Sequence, residues 1–161
     1  MAKPIVSFFV YGIPAPGGSK TAKLIYQGGR IVMRNGRPLI TMRDDAKGNA
    51  DWKRSVKFFA VQAYRAEPLT GPLEVWFSFV VVRPKCHYVS GKNAGNLKSS
   101  APDYPCVNPD VTKLIRSTED ALTGILWRDD KQIVHQVGNK KYGTQPGCQL
   151  DVYELGKGGR K

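Results

Sequence analysis

The chain is poor in acid, in histidine and in paired cysteine. Of its 161 residues only 13 are Asp or Glu and two are His, against 25 Lys or Arg. The cysteines, Cys86, Cys106 and Cys148, are odd in number, widely spaced and without a CxxC pair. That excludes a disulfide framework and a zinc ribbon, and predicts reduced thiols. Zinc held by Cys86, His87, Cys106 and His135 fits no structural-site spacing. No apolar run approaches the roughly 18 residues of a membrane span, and the first residues lack the basic-then-apolar layout of a secretion signal. There is no internal repeat. One domain over residues 1–155, cytoplasmic, with a disordered basic tail at 156–161, is the expectation from length and from 41% hydrophobic content.

What is abundant is positive charge, a formal +12. Lys and Arg laid against phosphates release condensed counterions, so this charge points to a nucleic-acid partner. Its distribution says more. Five of the 13 acids, Asp110, Glu119, Asp120, Asp129 and Asp130, fall in residues 110–130 beside only three bases, Lys113, Arg116 and Arg128. Basic flanks around one carboxylate-rich segment are the charge layout of a nuclease, in which acids hold a divalent cation against the DNA backbone.

Residues 4–11 (PIVSFFVY) predict a buried strand ended by Gly12 and the Pro14, Pro16, Gly17, Gly18 cluster. Short β pieces follow between 24 and 42, broken by Gln27-Gly28-Gly29 and Asn35-Gly36. They predict two small β-turns that present Arg30, Arg34, Arg37 and Arg43. Trp52, Val56, Phe59, Ala60, Ala63 and Tyr64 recur at helical spacing, giving an amphipathic helix over 51–66. Residues 73–82 (LEVWFSFVVV) read as a central strand. Residues 83–109 have no period and form a long basic loop, suited to DNA contact. A helix over 111–122 with Asp110 as N-cap and Gly124 as stop comes next, then strands over 132–142 and 148–155. The fold class is α+β, a small mixed sheet packed by two main helices. Trp52, Phe59, Trp76, Phe77 and Phe79 are expected in the core, whereas Tyr88 and Tyr104 in the loop are candidates for base stacking.

Asp110 at a helix start and Asp129-Asp130 at a strand mouth are placed to converge. Two or three carboxylates there would bind Mg²⁺, with Mn²⁺ as a substitute, and a nearby Lys or Arg would stabilise the transition state. The plainer reading of the same residues is a helix cap, a turn and a solvated Asp120.

The detailed wording separates the two. Asn108-Pro109-Asp110-Val111-Thr112-Lys113-Leu114-Ile115-Arg116, then Asp120-Ala121-Leu122-Thr123-Gly124, then Trp127-Arg128-Asp129-Asp130-Lys131-Gln132-Ile133-Val134 resembles the RusA family of Holliday junction resolvases. The family pattern is Pro-Asp-x-Asp-Asn-x-x-Lys, Asp-Ala-Leu and Asp-Asp-x-Gln-Ile/Val. Weaker likeness to phage-borne and actinobacterial members extends through residues 14–20, Arg83-Pro84-Lys85 with His87-Tyr88, 91–102, Lys141-Tyr142-Gly143 and Pro146-Gly147. The resemblance implies a homodimer of a bacterial or phage-infected cell that cuts four-way DNA junctions symmetrically with Mg²⁺. It makes Asp110 and Asp130 catalytic carboxylates and metal ligands, puts Arg116 where the family has its essential lysine, and matches Asp120 to Asp-Ala-Leu. One departure stands out: Thr112 replaces the second aspartate and Lys113 the asparagine. Asp129 is the nearer substitute ligand, with Glu119 a possible support. Glu119 lies seven residues from Thr112, about 10 Å along a helix.

Two other classes compete. A branched-DNA-binding protein that has lost catalysis is favoured by Thr112. A nucleotide-binding protein is suggested by residues 12–21 after a strand, but the lysine is misplaced for GxxxxGK[ST] and no helix follows, so no nucleotide cofactor is expected. In the junction-enzyme reading Lys20, Lys23, Arg83, Lys85, Lys92 and Lys98 face DNA backbone.

Overall fold

Alternating burial along the chain's most apolar stretch organises the molecule. In the computed structural model, which describes residues 3–17, 20–44 and 47–156 without the side chains of Lys20, Arg43 and Asp44, that stretch is a ten-residue strand, Leu73–Val82. It is an inner strand of a four-stranded sheet, flanked by Gly147–Glu154 and Ile133–Gly143, with Val6–Tyr11 beyond. In chain order these are β1 (Val6–Tyr11), β8 (Leu73–Val82), β9 (Ile133–Gly143) and β10 (Gly147–Glu154), in spatial order β1-β10-β8-β9. The first two pairings are antiparallel and β8 with β9 is parallel. The sheet is therefore mixed, as expected, and a parallel pair requires a crossover.

That crossover contains the helix α2 (Val111–Leu122), which begins and ends where the sequence places it. Gly124, at φ +83°, supplies the left-handed turn behind it. The other helix, α1 (Asn49–Ala63), starts two residues early and stops three short of the expected end, because Tyr64 is already extended. Both helices cover one face of the sheet. Val10, Val75, Phe77, Phe79, Leu150 and Val152 meet Trp52, Val56, Leu114 and Leu122 there, all fully or almost fully buried. Two buried polar bridges lock α1 to α2: Trp52 Nε1 donates to Thr118 Oγ1 at 3.1 Å, and Ser117 Oγ to Asn49 Oδ1 at 2.6 Å. Each satisfied bond contributes about 1 kcal/mol net and fixes the helix register. Trp76 departs from expectation: the pleat turns it to the uncovered face, beside Tyr153 at 5.7 Å between ring centroids.

Residues 20–44 form more than two turns. β2 (Lys20–Leu24) pairs with β7 (Ile40–Asp44) as a stem, and beyond it stand two short hairpins. These are β3 (Tyr26–Gln27) with β4 (Arg30–Ile31), and β5 (Met33–Arg34) with β6 (Arg37–Pro38). The three stems meet in a closed ring of backbone hydrogen bonds: Ile25 N–H to Leu39 O, Val32 N–H to Ile25 O and Leu39 N–H to Val32 O, at 2.8–3.0 Å. A strand rather than a helix thus follows residues 12–17, which removes the anion site a phosphate-binding loop needs. Among the described residues no helix is long and apolar enough to cross a membrane. Of the expected tail, residues 157–161 lie outside the described residues, as does the Lys20 side chain.

Candidate active site

α2 is seated on β9 through the alternation of that strand. The register pairs Gln136, Gly138, Lys140 and Tyr142 with Val75, Phe77, Phe79 and Val81, the sheet face that carries the helices. Gly138 lies under the helix, where a Cβ would overlap Ile115 Cδ1 and press on Val111 Cγ1 at 3.1 Å. On either side of this contact the neighbours are polar. Gln136 Nε2 donates to Glu119 Oε1, and Lys140 Nζ donates to the carbonyls of Val107 and Pro109, the latter at 2.9 Å. Lys140 thereby pins the turn that carries Asp110. Sequence reasoning singled out neither residue; their even spacing in a strand was the available signal.

Asp110 occupies the N-cap position with extended backbone, but its side chain makes no capping bond. Instead Asp110 Oδ2 sits 3.5 Å from Lys113 Nζ. The lysine that replaces the family asparagine therefore partly neutralises the first family aspartate. Thr112 and Arg116 are exposed on the same helix. Positions 112, 116 and 119 recur at i, i+4 and i+7, so Thr112, Arg116 and Glu119 share one stripe.

At the far end of α2 stands Asp130. Its turn is built by Gln132, whose Nε2 donates to Leu69 O (2.8 Å) and Gly71 O (3.0 Å) while its Oε1 accepts from the backbone N–H groups of Arg128 (2.9 Å) and Asp129 (3.0 Å). One amide clamps the Asp-Asp turn to the segment entering β8, which gives the Gln of Asp-Asp-x-Gln a structural reason. Asp129 caps this 3₁₀ turn, accepting from Lys131 N–H at 3.1 Å and pairing with Lys131 Nζ at 3.0 Å. Those bonds hold its carboxyl below the usual range. Asp129 is thus already engaged in building the turn.

Glu119 is the perturbed group. Burial, then the charges of Asp130 and Asp120, push its carboxyl up to about 7, with the Gln136 bond opposing. The nearness of Asp130 that this requires was not legible from spacing along the helix. Asp120 itself pairs with Lys53 of α1 at 2.9 Å and so ties the helices together.

The expected meeting of Asp110 with Asp129 and Asp130 is not found: among the described residues no three His, Cys, Asp or Glu side chains stand close enough to share a metal ion. The reason is mechanical. Gly124 reverses the chain directly after α2, Asp130 follows where its charge is felt by Glu119, and nine residues of helix, about 13 Å of rise, separate Glu119 from Asp110.

A family model, that of the endodeoxyribonuclease RusA, matches residues 27–153. The chain belongs to the RusA family. That span runs from β4 to all but the last residue of β10, and the family is one of endodeoxyribonucleases. The chain is also similar to a Bacillus subtilis (strain 168) protein, the uncharacterized protein YqaN. The two are 29% identical over 153 residues, covering 93% of this chain and 96% of that relative.

Within this RusA fold the basic loop is partly structured. Arg83 lies over the Tyr142 ring at 4.1 Å and donates to Pro102 O at 2.7 Å, so its guanidinium tethers the loop rather than standing free for phosphate. Lys85, Lys92 and Lys98 are exposed, as is Lys23 on the arm. Tyr104 is 71% exposed, whereas Tyr88 is half-buried and bridges to Leu97. An open depression lined by Cys106, Val107, Asn108, Asp110, Val111 and Lys140 adjoins the start of α2.

Proposed function

We propose that this protein is a structure-selective endonuclease that resolves four-way DNA junctions by Mg²⁺-dependent hydrolysis, as a homodimer making paired nicks. The observation that carries the reading is the Glu119–Asp130 pair. A Glu119 carboxyl raised by burial and then by the charge of Asp130, in a protein of net charge +12, suits a hard cation. Mg²⁺ is commonly held by only one or two carboxylates with waters and substrate phosphate, so Glu119 and Asp130 fit it without a third acid. Bound there, the ion would supply an activated water and neutralise charge on the phosphate.

The chain's own residues divide the remaining work. Gln132 fixes the turn that carries Asp130, and Gln136 donates to the Glu119 carboxylate and fixes its position. Arg116, one turn before Glu119 on the exposed stripe, is the group for the scissile phosphate in place of the family lysine. Its planar guanidinium offers two parallel donors where an ammonium offers a point charge. The loss of the second family aspartate at Thr112 is offset by Glu119. Asp110, assigned a catalytic role by the family motif, acts from the opposite end of α2 with Lys113 as its partner. Lys23, Lys85, Lys92 and Lys98 supply backbone contacts, and two copies match the two-fold symmetry of a four-way junction.

The test is cleavage of a labelled synthetic junction against linear duplex, with Mg²⁺ or with chelator. Metal-dependent paired nicks on the junction are expected, with a loss of at least about 100-fold in Asp130→Asn and Glu119→Gln. Equal loss in Asp110→Asn puts it in the same chemical step, and a smaller loss leaves it as the anchor of Lys113. Tight junction binding without cutting under either metal would overturn the nuclease and favour a structure-selective binder.

A further inference from the structure

The arm at residues 20–44 is unexplained by the site on α2. It contributes nothing to the hydrophobic core, and none of its strands joins the four-stranded sheet. Between residues 20 and 43 the sequence has six bases, Lys20, Lys23, Arg30, Arg34, Arg37 and Arg43, and no acid. A seventh of the chain thus carries a charge equal to half the formal net charge of the protein.

The placement of that charge is specific. Arg34 and Arg37 are direct cross-strand partners on either side of the Asn35-Gly36 turn, where both central residues have positive φ. Like charges directly opposite each other destabilise a hairpin, and an anion between them removes the penalty. Both guanidinia are exposed, as is Arg30 on the neighbouring hairpin, and none of the three is ion-paired with a described carboxylate. The arm's apolar residues also face outward, with Tyr26 60% and Met33 56% exposed beside these arginines. Arginine next to apolar side chains on a projecting β-ribbon has the chemistry for a phosphate backbone and for base faces opened at a branch.

The arm's root lies against the active helix. Gly17 N–H donates to Lys113 O at 2.9 Å, and a Cβ at Gly17 would meet Ser117 Cβ at 3.1 Å. Its return strand leads into α1, which is bridged to α2 at Ser117 and Thr118. Both roots therefore reach the middle of α2, at Lys113, Ser117 and Thr118, within two turns of Thr112 and Arg116.

We propose that residues 20–44 are a DNA-clasping arm, with Arg34 and Arg37 sharing one backbone phosphate and Arg30 taking another, on the duplex leading away from the cleavage point. The inference rests on the nuclease reading for the position of the DNA. Its test is the salt dependence of binding, which needs no catalysis. Arg30→Gln/Arg34→Gln/Arg37→Gln is compared with the native chain on a junction and on a duplex. A second variant joins Leu24 to Ile40, direct cross-strand partners, through an Asn-Gly turn and so keeps the stem. Two lost phosphate contacts lower the slope of log K against log salt by about 2. Both variants should show that fall and at least a tenfold weaker affinity at low salt, with the thermal midpoint unmoved. An unchanged slope and affinity would overturn the arm's role even if the native chain cuts junctions. A lowered slope in a chain that cuts nothing would retain the arm and sink the nuclease. A shift from dimer to monomer with DNA affinity intact would show that the arm binds a second copy, and would also overturn the proposal.

Discussion

Replacing Glu119 by Gln should make the protein more stable at neutral pH, and by an amount that depends on pH in a defined direction. The carboxyl ionises at an ordinary 4.5 when unfolded and at about 7 in the fold, where burial and the charge of Asp130 oppose it. The folded state therefore holds the proton more tightly. Stability is greatest below pH 4.5, falls as pH rises from 4.5 to 7, and is flat in this respect above 7. At about 1.4 kcal/mol for each tenfold change in proton affinity the full displacement would be about 3 kcal/mol. Glu119 is only partly shielded, and solvent screening reduces this to about 1–2 kcal/mol. Urea denaturation of both chains between pH 4 and 8 reads the difference. The native profile should fall by that amount relative to Glu119→Gln, and millimolar Mg²⁺ at pH 7.5 should restore stability to the native chain alone, since a cation favours the ionised pair. Parallel profiles that ignore Mg²⁺ would refute the account of the Glu119–Asp130 pair.

Other expectations follow from the same geometry. Gln132→Glu cannot donate to Leu69 O and Gly71 O, so it should cost about 2–3 kcal/mol in urea and reduce junction cutting by displacing Asp130. Gly138→Ala forces Ile115 away from β9 and should cost about 1–3 kcal/mol, with Ile115→Val restoring part of the loss in the double variant. Arg116→Lys should retain cutting within several-fold while Arg116→Ala loses about 100-fold in single-turnover assays. Lys113→Asn frees Asp110 from its partner at the far end of α2 from Glu119 and should leave Mg²⁺ binding in calorimetry unchanged; a marked tightening would place the ion at Asp110 instead.

The α2 boundaries, the central strand and the two closing strands were legible because each rests on local signals: a helix stop at Gly124, a β-branched run at 73–82, and Gly143, Pro146 and Gly147 between the last strands. The RusA family was legible from the acidic wording. The partnership of Glu119 with Asp130 was not, because it depends on how far the chain travels after Gly124. Gln136 and Lys140 were marked only by their even spacing in β9, and the role of Gln132, though its place in the motif was legible, exists only once Leu69 and Gly71 are brought alongside. Arg83 read as a DNA contact from charge alone, and only the fold reveals Tyr142 beneath it. The three-way arm exceeded the expected pair of turns because the ring at Ile25, Val32 and Leu39 joins residues seven apart, a spacing that belongs to neither helix nor strand.

That ring has an evolutionary consequence. Because its three hydrogen bonds close on backbone atoms alone, each hairpin beyond it can be lengthened, shortened or exchanged without altering the other hairpin or the stem. Chain inserted at Gly28-Gly29 or Asn35-Gly36 would enter far from the core, where selection on folding is weakest. Related sequences should therefore diverge in length at these two tips while keeping the residues around β9 and α2 fixed in spacing, so that reach over a substrate varies independently of the chemistry beneath it.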